Sequence, residues 1–293
     1  MQFDAHCIAC LVQRQYGFTS KAPNDAASRA FMKDILQTIL DAPDGVSAPY
    51  LVPGFAAAAK KHFGVADAYA DIKRQSNERV LAMLPRIRAM VDAADDPLEL
   101  AVKFSRTGNF LDFAVLPREK IDAELEAAVA QTPVQPLDKA EYAALQRDLE
   151  TARSMLILGD NAGEIAFDRV LVEQLQKQFP DLTVQYVVRG GNAQNDATRE
   201  DAHAVGMDQL VNILDNGSTI PGTELAYCGQ PLLDAIKTAD ILLAKGQANF
   251  ESLLGCGHNV YYLFLCKCQR LSRLLHQPLM QGMLLNDRRI QLG

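Results

Sequence analysis

Three short segments of this 293-residue chain bring acids, amides and cations together at spacings that chemistry can use. The first is Gly159-Asp160-Asn161-Ala162-Gly163-Glu164, directly after the apolar run 154–158. Asp160 offers a hard carboxylate and Asn161 a carbonyl oxygen. A helix starting just beyond them would turn its N–H groups and positive dipole end toward an anion. A plain helix cap accounts for one polar residue here, but not for two side by side followed by Glu164. The second segment is Arg189-Gly190-Gly191-Asn192-Ala193-Gln194-Asn195-Asp196-Ala197-Thr198, after the apolar run 183–188. Its glycines permit a sharp turn, and Asn195 or Asp196 reads either as another N-cap or as a ligand placed beside Asp160. The third is Lys245-Gly246-Gln247-Ala248-Asn249-Phe250-Glu251. Its lysine reads as a surface residue, or as a point charge that reaches phosphate. Oxygen donors without histidine suit Mg2+ or Mn2+ better than zinc or copper.

Such residues must be positioned by regular elements, and the chain changes character near residue 150. Before it, helix follows helix. Asn24 and Asp25 can cap a segment in which Phe31, Ile35 and Ile39 share one face, ended by Pro43 and Pro49. A helix is predicted from Asp67 to about Val91, with Pro85 expected to kink or split it. Asp95 and Asp96 before Pro97 mark another start, and Gly108 suggests a left-handed C-terminal cap. Residues 121–151 read as further helix, broken at Pro133 and Pro136. After Arg153, short apolar runs at 154–158, 183–188, 209–214, 240–244 and 259–265 alternate with amphipathic stretches such as 162–179. That alternation predicts an α/β fold: a helical region over 1–150 packed on a doubly wound, mainly parallel sheet over 151–293. In such sheets ligands bind beyond the carboxyl ends of the strands, where all three polar segments fall.

Composition bounds the function classes. Lys plus Arg number 29 against 36 Asp plus Glu, a formal charge of −7, so neither a nucleic acid nor an anionic membrane is an expected partner. No apolar run is long enough to span a bilayer, and the start of the chain lacks the pattern of a secretory signal. Six cysteines do not form a disulfide framework, and a reducing cytoplasm is expected. Cys7-x-x-Cys10 reads as packing, as half of a zinc site completed by Cys266 and Cys268 if the chain ends meet, or as a redox pair. The five histidines lack metal-ligand spacing. Neither a Gly-x-Ser-x-Gly elbow nor a Walker phosphate loop is found.

Together the three segments resemble the damage-control phosphatases, also known as domain of unknown function 89, the ARMT-like family. Cys7-Ile8-Ala9-Cys10, Ile72-Lys73-Arg74-Gln75-Ser76-Asn77 and Gly108-Asn109-Phe110-Leu111-Asp112-Phe113 are similar to marks of its mainly prokaryotic branch. The ordered set runs from residue 7 to about Cys268. The resemblance implies metal-dependent hydrolysis of small phosphate esters, with Asp160, Asn161 and Asp196 holding Mn2+ or Mg2+, or alternatively Ni2+ or Co2+. It places Lys245 on phosphate, with Arg189 neutralising charge in the reaction and Asp160 taking part in it. Asn109, Asp112, Glu164, Asn195, Asn249 and Lys267 are the expected substrate-side residues, with Asn109 and Asp112 on a loop of the helical region. The chain departs from the family pattern at Asn192-Ala193-Gln194 and at Ala248, both beside the expected site. Two other functions compete: methyl transfer to a carboxylate, which needs no divalent metal, and metal-dependent binding of a phosphorylated metabolite without turnover.

Overall fold

The structure, a computed structural model, describes residues 1–64, 69–110 and 118–292. Helices α1 (Ala5–Phe18), α2 (Asp25–Leu40) and α3 (Val52–Phe63) come first. Asn24 caps α2 by accepting the Ala27 N–H, and its face of Phe31, Ile35 and Ile39 closes against Leu51 and Phe55 in a cluster of its own. Helices α4 (Ala70–Asp92), α5 (Pro97–Thr107), α6 (Arg118–Gln131) and α7 (Lys139–Thr151) follow. α4 continues through Pro85, which does not split it. The lost backbone hydrogen bond is outweighed by a buried face of Val80, Leu84, Ile87 and Val91 that reaches both sides of the proline. Asp96 caps α5, whose first residue is Pro97.

The alternating half follows as β1 (Ser154–Leu158), α8 (Glu164–Gln178), β2 (Thr183–Val188), α9 (Arg199–Ala204), β3 (Asn212–Asp215), α10 (Gln230–Thr238), β4 (Ile241–Lys245), α11 (Gly246–Leu253), β5 (Val260–Leu265), α12 (Gln269–Leu274) and β6 (Gly282–Asn286). The expected 209–214 strand starts later, at Asn212, and Gln209 instead ends a 3-10 turn over Met207–Gln209. The strands form one sheet in the order β3-β2-β1-β4-β5-β6. All pairs are parallel except β5 with β6, and β6 is an edge strand that the sequence reading missed.

Side-chain alternation divides the sheet into two dry faces. Met155, Ile157, Tyr186 and Leu243 pack against α4, α5, α7 and α8, while Leu156, Leu158, Leu242 and Ala244 pack against α10, α11 and α12. β1 is followed by β2 on one side and borders β4 on the other. The crevice of this doubly wound sheet therefore opens beyond Leu158 and Lys245.

Candidate active site

Two loops meet at that crevice. The Ala197 N–H donates to the Asp160 carbonyl at 2.7 Å, and the Ala162 N–H to the Asn195 carbonyl at 2.8 Å. A β-bridge joins Asn161 to Asp196. This zipper sets Asp160 and Asp196 in one buried place, 8% and 4% exposed. Burial raises the Asp160 carboxyl well above the usual carboxylate range, and the charges of Asp196 and Glu164 raise it further. Asp196 is also raised by burial, against the pull of Arg189. The Arg189 Nε donates to Asp196 Oδ2 at 2.6 Å and its Nη2 to the Gly159 carbonyl at 2.9 Å. Its buried Nη1 has no partner among the described residues. Gly246 closes the site from β4 with φ at +77°, and a Cβ there would stand 2.0 Å from Asp160 Oδ2.

A second tier lies beneath. The Asp160 carboxylate accepts from the Asn109 amide at 2.8 Å and the Asn161 amide at 2.7 Å. Both amides also donate to Glu164 Oε2, at 3.1 and 3.3 Å. The other Glu164 oxygen takes Lys245 Nζ at 2.7 Å. Lys245 also donates to Asp168 Oδ1 at 2.6 Å and the Ser105 carbonyl at 3.1 Å. Ser105 Oγ and the Tyr186 hydroxyl complete the Asp168 shell at 2.5 and 2.6 Å. Desolvation works against the Lys245 charge, but Asp168 and Glu164 outweigh it and raise its pKa.

These contacts alter the picture of Lys245. It is fully buried, and its three N–H groups are spent on three protein oxygens, so direct phosphate contact would require breaking one of them. Asn249 likewise turns inward: its amide serves the carbonyls of Leu158, Gly159 and Lys245, and Thr223 Oγ1 donates to its Oδ1 at 2.7 Å. It braces the turn. Lys267 is exposed, and its charge pulls the Asp160 pKa downward, which places its field on the site. Asn195 contributes its carbonyl to the zipper. Asp112 lies outside the described residues.

Sequence reading missed Asp168, Tyr186 and Ser105 as site residues. Asp168 was within reach, because it follows Glu164 by four residues on one helix. It also missed the brace from α4. The Gly163 N–H donates to Asn77 Oδ1 at 2.6 Å, and the Asn77 amide to Asp201 at 2.9 Å. Lys73, one turn earlier, pairs with Asp201 at 2.6 Å.

Residues 3–281 match the family described as the damage-control phosphatase ARMT1-like domain. The chain belongs to that family. It is 32% identical over 212 residues to a damage-control phosphatase of Archaeoglobus fulgidus, covering 72% of each chain. It is 29% identical over 222 residues to one of Pyrococcus horikoshii, covering 74% of each. A crystal structure of a DUF89 family protein from P. horikoshii superimposes with a TM-score of 0.81 at 23% identity, over 98% of this chain and 99% of that one. That likeness shows the shared fold.

For a damage-control phosphatase fold, the donor set at the two loops fits a hard divalent cation: two carboxylates whose burial and mutual repulsion call for positive charge, with an amide beside them. Among the described residues no group of three His, Cys, Asp or Glu side chains is disposed to hold a metal. A metal here would thus rest on two acids and Asn161. The chain ends do meet: Asp4 pairs with Arg270 at 2.7 Å, and Arg270 Nη1 approaches Cys7 Sγ at 3.3 Å. Beside these two loops, a cavity of about 720 Å3 opens between α4 and α9, lined by Lys73, Asn77, Arg189 and Gly191 among others. Gln194, on the departing loop, adopts φ of +55°.

Proposed function

We propose that this chain is a metal-dependent phosphatase that hydrolyses small phosphorylated metabolites, phosphomonoesters above all. The observation that carries the reading is the pair Asp160 and Asp196: two buried carboxylates, fixed side by side in the loops after adjacent strands, both held above their usual pKa by burial, Asp196 in spite of its pairing with Arg189. Asp160, Asn161 and Asp196 would hold Mn2+ or Mg2+. When bound, such a cation polarises a phosphoryl oxygen and lowers the pKa of a bound water. Membership of a phosphatase family supports the same reaction.

The chain's own residues do the rest. Arg189 holds Asp196 through Nε and keeps Nη1 for incoming negative charge. Lys267 supplies a second cation from the open side. The Asn109 and Asn161 amides fix the Asp160 carboxylate and tie it to Glu164, which Lys245 keeps in place from below. Charge complementarity thus builds toward a dianion. Six free thiols fit a reducing cytoplasm.

Purified protein should release inorganic phosphate from small monoesters, lose that activity in chelator and recover it with Mn2+ or Mg2+. Undiminished phosphate release from metal-free protein would refute the metal assignment. Tight, metal-dependent retention of a phosphorylated metabolite without phosphate release would identify a binding module instead.

A further inference from the structure

One buried cation, away from the Asp160 and Asp196 loops, lacks a counter-charge among the described residues. Arg106, in the last turn of α5, is 1% exposed. Its Nη2 donates to the Pro136 carbonyl at 2.8 Å. Its Nε and Nη1 have no partner among the described residues. The other buried cations differ: Lys73, Arg189 and Lys245 each have a carboxylate oxygen within 2.6 Å. Among the described residues nothing comparable offsets Arg106, and burial brings its pKa down to about 10. A buried charge left unpaired is strongly unfavourable unless something else supplies the opposite charge.

The surroundings fit a ligand in that role. Arg106 lines a cavity of about 320 Å3 between the α6–α7 junction and the turn into β6. Gln131, Gln135 and Gln281 stand around it, and no acid is among its lining residues. Gly282 lets its backbone lie against the guanidinium, since a Cβ at that position would stand 2.5 Å from Nε. We propose that this cavity is a binding site for a small oxyanion, the carboxylate or phosphoryl group of a metabolite, held by Arg106 with the amides of Gln135 and Gln281. It is separate from the Asp160 and Asp196 loops, yet it sits on the helix end that also presents Ser105 to Lys245.

The test is thermal unfolding of the full chain in chelator, titrated with inorganic phosphate in one arm and acetate in the other. Wild type and Asp160→Asn should both show a saturable rise in Tm with at least one anion, and the lower midpoint identifies the preferred group. Arg106→Met should weaken that midpoint ~10–100-fold, as expected for lost hydrogen bonds to a charged group. Gln281→Glu places a carboxylate at the rim; it should raise Tm without ligand and abolish the anion response. If Arg106→Met does not fold, Gln281→Glu decides alone. The proposal is overturned if neither anion gives a saturable response. It is also overturned if the response survives Gln281→Glu unchanged or disappears in Asp160→Asn.

Discussion

Asp160 is ionised only against opposition. Burial disfavours its charge, and Asp196 and Glu164 add repulsion. With the folded pKa raised above the reference 3.8, linkage has a definite sign. Below the unfolded pKa both states are protonated and no penalty exists. As pH rises toward the folded pKa stability is lost, and above it the loss is complete. Metal-free wild type should therefore lose Tm relative to Asp160→Asn as pH rises from 4 to 8, and Mn2+ should close that gap from the wild-type side only. Parallel Tm curves for the two proteins without metal would contradict the burial argument. Asp168 acts one contact further away, turning Lys245 toward Glu164. Asp168→Asn preserves shape and removes charge, so kcat should fall ~10–100-fold, the usual cost of removing an outer supporting partner, with KM changed little. An effect on KM alone would place Asp168 outside the chemistry. That Asp160, Asn161 and Asp196 lie at one edge of the sheet was legible, because each belongs to a loop that follows an apolar run. The inward turn of Lys245 was not, because burial depends on α5 and α8, far away in sequence.

The elements carry glycines whose reasons emerge only in three dimensions. Gly108 suggests a left-handed C-cap, yet its φ is −53°. Its smallness matters instead, because a Cβ would meet the Glu164 Cα at 2.8 Å and Cγ at 2.7 Å. That contact lets α5 bring Asn109 to Asp160. Gly246 has both reasons at once, a positive φ and the Asp160 carboxylate where a Cβ would be. Gly246→Ala should therefore lower stability by about 1–3 kcal/mol through backbone strain alone and lose most metal-dependent activity, as Asp160 is pushed from its place. Denaturant titration and Mn2+ calorimetry measure the two effects; a stable variant with unaltered Mn2+ affinity would show the site tolerates the shift. Strand positions were readable from apolar runs of the right length, and β1 and β2 keep their expected bounds. β6 escaped notice because Gly282-Met283-Leu284-Leu285-Asn286 lies in a short C-terminal stretch with no helix after it to complete the alternation. Pro85 does not split α4, because local propensity is weak against a helix face buried along its length.

At the scale of the whole molecule, the change of character near residue 150 does not divide the core. Val80, Leu84, Leu98, Val102 and Phe104 from the helical region join Ile165, Phe167 and Leu171 of α8 and the sheet in one continuous cluster. Phe104 and Phe167 stack with ring centroids 6.4 Å apart, and Arg88 of α4 is bidentate to Glu173 of α8 at 2.7 and 2.8 Å. The site has the same construction, since Asn77 and Asn109 come from helices and Asp160 and Asp196 from strand ends. Full burial of a large apolar side chain is worth roughly 1.5–3 kcal/mol. Exposing the α8 face and the sheet beneath it would thus remove an amount comparable with the 5–15 kcal/mol by which a typical domain is stable. A fragment of residues 151–293 expressed alone should lack a cooperative thermal transition and fail to bind Mn2+, even though it holds Asp160, Asn161 and Asp196. Adding residues 1–150 as a separate chain should restore both, because the missing contacts are noncovalent. Circular dichroism melts and calorimetry of the two fragments, alone and mixed, check this. A cooperative melt of 151–293 alone would show that the sheet and its C-terminal helices suffice as a folding unit, and that the helical region only covers a core already formed.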